Sequence, residues 1–106
     1  MITEETAEKC LKFLGDTDEK AAKAKALVEG LSEQRKTHKA IAFQKLEGSA
    51  TEKAIVCYKD EEYLDHLERL TNAIYEYETL RNKRITADLT IRMWQSCNAN
   101  RRTGNI

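Results

Sequence analysis

Proline is absent from the 106 residues and glycine occurs only four times, so little in the chain interrupts a helix. Large apolar side chains are also scarce. Of the 43 hydrophobic residues 12 are alanine, and valine, phenylalanine and methionine occur twice each, too little for a large globular core. No run approaches the ~18 uncharged apolar residues of a membrane span. Met1 to Lys12 alternates charged with apolar residues and so does not read as a secretory leader. Cys10, Cys57 and Cys97 are odd in number, far apart and free of C-x-x-C spacing, which argues against a disulfide framework or a zinc site and for a reducing cytoplasm.

Recognisable chemistry is equally thin. His38 and His66 lack a ligand partner three or four residues away, where one helix face would present both, and are read as structural. The four glycines are isolated, so no phosphate cradle forms, and no nucleophile elbow, P-loop or dinucleotide fingerprint occurs. The expectation is a protein that is not an enzyme, with no catalytic residues, cofactor or metal.

What is present is charge and helical rhythm. Lys and Arg number 18, as do Asp and Glu, and charged residues make up 34% of the chain. Disorder is not expected, because the charge balances and the apolar residues are periodic. Helices are predicted over about 3–14, 17–47, 49–58 and 60–98, with a frayed tail over 99–106, in a single domain spanning 1–106. Thr3 caps the first, Gly15 stops it, and Asp16 with Glu19 starts the second. In the second, Ala21, Ala24, Leu27, Val28, Leu31, His38, Ile41, Ala42 and Leu46 recur at helical spacing. Gly48 suits a helix end, Ser49-Ala50-Thr51-Glu52 is a capping box, and Asp60 can cap the last helix.

In that helix Tyr63, Leu67, Leu70, Ile74 and Tyr77 follow a heptad rhythm. A three-residue step to Leu80, then Arg84, Ala87, Ile91 and Trp94, reads as a stammer. Short connections place sequential helices side by side. The fold expected is therefore all-α: a long antiparallel helical hairpin with a short N-terminal helix, coiled-coil-like and oligomeric. One seam buries too little apolar surface for a lone hairpin. The stripe Tyr63, Leu67, Leu70, Ile74, Tyr77 and Ile91 is accordingly assigned to self-association, or to a partner helix.

Charge is unevenly spread. Residues 49–80 carry net −5 and residues 81–106 net +5, the latter from Arg81, Lys83, Arg84, Arg92, Arg101 and Arg102 against Asp88. Such a basic tract with Trp94 and small polar neighbours suits phosphate contact and base stacking on single-stranded nucleic acid. In an antiparallel hairpin the same bases can instead pair with the acidic first 30 residues, and Trp94 can anchor an interface. A membrane-surface helix fits poorly, because the acids of residues 60–78 would be repelled by anionic lipid.

Three stretches carry a resemblance: Ser49-x-x-Lys53-Ala54-x-x-Cys57-Tyr58-Lys59-x-x-Glu62-Tyr63, then Tyr77-Glu78-x-Leu80-Arg81-x-Lys83-Arg84, and Ile91-x-x-Trp94-Gln95-Ser96-x-x-Ala99-Asn100-Arg101-Arg102. Together they resemble small helical proteins of tailed bacteriophages and, distantly, the recombination mediator family of T-even-like phages. That resemblance covers Ser49 to Arg102 and leaves the N-terminal half unmatched. It implies a helical fold, ring-like oligomers that load a recombinase, and single-stranded DNA contact, with Lys53, Lys59, Arg101 and Arg102 at matching positions. Two functions stand side by side. One is an accessory protein binding single-stranded DNA through its C-terminal helix, acting in phage recombination or replication beside a recombinase or other protein in the host cytoplasm. The other is a structural adaptor that binds its own copies or a partner helix without nucleic acid.

Overall fold

The computed structural model describes residues 1–104, and every regular element in it is helical. Helix α1 spans Glu4–Gln44 and α2 spans Ala50–Val56, followed by a 3-10 turn at Cys57–Lys59 and then α3 over Glu61–Gly104. Three of the expected caps form, at Thr3, Ser49 and Asp60, while Asp16 and Glu19 lie inside α1 and start no helix. Thr3 Oγ1 accepts from the Thr6 amide at 3.1 Å, Ser49 Oγ from Glu52 at 3.2 Å, and Asp60 Oδ2 from Tyr63 at 3.0 Å.

Three boundaries differ from expectation. No break occurs at Gly15, so the separate N-terminal helix does not exist and α1 runs unbroken for 41 residues. Ala7, Cys10, Leu14, Thr17, Ala21, Ala24, Val28 and Leu31 keep an unbroken three-four spacing across Gly15, and each is buried or half-buried. Gly15 does not adopt positive φ, whereas Gly48, at φ 116°, does. Helix α1 ends at Gln44 rather than at residue 47. There the Leu46 amide drops back to the Phe43 carbonyl at 3.3 Å, and Leu46 packs against Ala42, Cys57 and Tyr63. Helix α3 continues past Asn98 to Gly104, and residues 105 and 106 of the expected frayed tail lie outside the described residues.

The stammer is absent as well. Burial on α3 follows Tyr63, His66, Leu70, Ala73, Tyr77, Leu80, Arg84, Ala87, Ile91, Trp94 and Asn98, an uninterrupted three-four alternation. A stripe chosen only from large apolar residues takes Leu67 and Ile74 in place of His66 and Ala73. The apparent phase slip arises from that choice.

Contacts divide the chain into two compact units, one of Met1–Ala22 with the residues from Glu78 onward, the other of Lys23–Tyr77. In the first, Arg84 reaches Leu14, Thr17 and Asp18 while Arg101 reaches Met1, so the two helical stretches run antiparallel. Among its described residues the buried ones are the small Ala7 and Ala87. In the second, Leu31 packs with Leu70 and Ala73, and Lys45 meets Asp60 and Glu62, again antiparallel. A second cluster there, Ala42, Cys57 and Tyr63 with Phe43, Leu46 and Leu67, seats the 3-10 turn that follows α2 on α1 and α3.

Candidate interaction surface

The basic residues proposed to meet nucleic acid do not form one free face. Arg84 turns inward, its guanidinium donating to the Leu14 carbonyl at 2.8 Å, to Thr17 Oγ1 at 2.7 Å and to Asp18 at 3.2 Å. Arg92 pairs with Asp88 at 3.1 Å and Arg81 with Glu78 at 3.6 Å, each within its own helix. Trp94 is half-buried, in phase with the buried side of α3. Lys83, Arg101 and Arg102 are exposed and have no acidic partner among the described residues; Arg101 lies 3.8 Å from Met1 Sδ.

The stripe assigned to self-association is largely used within the chain. Tyr63 and Leu70 are buried in the two clusters, Leu67 packs on one of them, and Tyr77 and Ile91 are half-buried. Ile74 is 41% exposed. A different apolar row faces water in the first unit. Ile85, Leu89 and Met93 lie one turn apart on α3, opposite its buried side, and are 43%, 53% and 59% exposed.

The second unit holds one buried polar side chain, His66. Its Nε2 lies 2.8 Å from the Leu31 carbonyl, which can only accept, so Nε2 carries the hydrogen. Nδ1 has no partner among the described residues, and the ring stacks on His38 with centroids 4.2 Å apart. Both histidines thus serve the seam.

Sequence reasoning passed over a cationic groove in this unit. Lys36, Lys39, Ala40, Phe43 and Gln44 line an open groove of about 350 Å³ along α1. Lys53 of α2 places its ammonium 5.5 Å from the centre of the Phe43 ring, and Lys39 sits 4.4 Å from that of Tyr58. Lys39 Nζ also donates to the Tyr58 hydroxyl, and that hydrogen bond raises Lys39 above the ordinary lysine value against the opposing effect of burial. The local signal was the spacing Lys36, Lys39 or Ala40, and Phe43, which shares one helix face. Lys53 joins them only because α2 folds back.

Comparison with protein-family models, with curated proteins and with solved structures finds no match for this chain. Among the described residues no helix is long and apolar enough to cross a membrane, and no group of three or more His, Cys, Asp or Glu side chains is placed to hold a metal ion.

Proposed function

We propose that this chain is a non-enzymatic helical interaction protein, in which α1 and α3 form an antiparallel hairpin of coiled-coil type and outward apolar residues bind a second copy or a partner helix. The row Ile85, Leu89 and Met93 carries this reading. Single exposed apolar side chains are ordinary on protein surfaces, but three stacked at one-turn intervals form a continuous ridge of the kind helices bury in each other. Light scattering coupled to size exclusion tests it. A discrete oligomer at micromolar concentration is the expected result, and a monomer that captures no helical partner overturns it.

A second reading rests on Lys83, Arg101 and Arg102, whose charges are left free of acidic partners among the described residues. In it the oligomer binds single-stranded DNA, as the resemblance to recombination mediators implies, through contacts weak singly and additive around the assembly. The same chromatography run with a labelled oligonucleotide separates the two. Co-elution at about 50 mM salt that disappears at high salt supports DNA binding, and no co-elution at low salt removes it.

A further inference from the structure

We infer that the groove framed by Lys36, Lys39 and Lys53 is a docking site for an acidic peptide segment of a partner protein, one whose carboxylates flank an apolar side chain. This rests on the interaction-protein reading and names the partner's chemistry. The floor of the groove is apolar: Ala40 contributes only a methyl group, and Phe43 is anchored by the cluster of Ala42, Cys57 and Tyr63. Lys36 and Lys39 of α1 make its rim cationic, and Lys53 of α2 adds a third ammonium 5.5 Å from the centre of the Phe43 ring. Lys39 is held in place by the Tyr58 hydroxyl, and that bond favours its charged form. Gln44 at one end offers an amide to a peptide backbone.

The ring faces decide between carboxylates and bases. Nucleobases need an open aromatic face on which to stack. Here the Lys53 ammonium already stands 5.5 Å from the centre of the Phe43 ring, the one aromatic ring that lines the groove, so a base stacking on that face would have to displace it. Carboxylates pair with the ammonium groups where they stand, because each lysine has three donors and Lys39 commits one of them to Tyr58. An apolar side chain between the carboxylates then covers Ala40 and the exposed edge of Phe43.

The test is fluorescence anisotropy with the full chain and a labelled synthetic peptide in which pairs of glutamates alternate with single phenylalanines. An oligothymidylate of equal charge serves as the second probe. Wild type is expected to bind the peptide at about 50 mM salt and to lose about tenfold in affinity at about 500 mM. Combined Lys36→Ala, Lys39→Ala and Lys53→Ala is expected to lose at least about tenfold in peptide affinity. Combined Lys83→Ala, Arg101→Ala and Arg102→Ala is expected to leave it unchanged. Lys36→Glu, at an exposed position, repeats the comparison should the triple variant melt early. Absence of peptide binding by wild type, equal affinity in the groove variants, or tighter binding of oligothymidylate at the groove overturns the inference. A discrete oligomer in light scattering alongside any of these outcomes leaves the interaction-protein reading standing and removes only the groove.

Discussion

Arg84 shows what a single side chain does when a helix partner lies beside it. Three acceptors on α1 surround its guanidinium, and the hydrogen bond to the Leu14 carbonyl ties down the backbone just before Gly15. Arg84→Ala should destabilise the fold by about 2 kcal/mol in denaturant unfolding, because hydrogen bonds to charged groups are among the stronger ones. Amide exchange around Gly15 should rise in the same variant. Arg84→Lys should recover only part of the loss, since an ammonium lacks the planar fork that reaches several acceptors at once. Arg84 was legible in the sequence as a heptad position and as a cation, but which role prevails depends on the acceptors that face it.

Lys45 ties the end of α1 to the start of α3. Its hydrogen bond to Glu62, at 2.9 Å, raises the ammonium above the ordinary lysine value, with Asp60 adding to the effect at 3.9 Å. A raised lysine holds its proton more tightly folded than unfolded. Its contribution is therefore complete below the unfolded value of about 10.4 and disappears as pH rises through the folded one. The difference in melting temperature between wild type and Glu62→Gln should be constant at neutral pH and shrink in that alkaline window.

Among the elements, the glycines discriminate between a helix stop and a helix interior. A Cβ at Gly15 would meet nothing within 4 Å, and the backbone there is not left-handed. Gly15→Ala should accordingly stabilise the protein by roughly 0.5–1 kcal/mol, read as a higher unfolding midpoint. Gly48→Ala should do the reverse by about 1–2 kcal/mol, because φ of 116° strains any L side chain. The caps at Thr3, Ser49 and Asp60 were legible because a cap acts on amides two or three residues away. Gly15 was misread because local stop signals were weighed without the seam running through them. Only the unbroken spacing from Ala7 to Leu31 reveals that seam. His66 and Ala73 were left out of the stripe for a related reason: one is polar and the other small, and each is buried against what lies opposite, His66 against His38 and the Leu31 carbonyl and Ala73 against Leu31.

At the scale of the whole molecule, two aspartate substitutions on α3 separate folding from association. Leu70→Asp buries an unpaired carboxylate beside Leu31 and Ala73 and should cost more than about 3 kcal/mol, unfolding the chain outright in circular dichroism. Leu89→Asp places the charge on the outward ridge. It should preserve helix content while lowering the mass seen by light scattering, and an unchanged mass would move the interface elsewhere. The sequence by itself determined that the chain is helical, that Thr3, Ser49 and Asp60 cap its helices, and that it has few helix breakers and little large apolar bulk. Those properties follow from neighbours within a turn or two, where backbone propensity and capping act. Only the tertiary structure decided which cations are spent inside the chain, which apolar residues face outward, and that Lys53 joins Lys36 and Lys39 around Phe43. Those depend on what lies opposite, and opposing residues such as Leu14 and Arg84 are 70 positions apart.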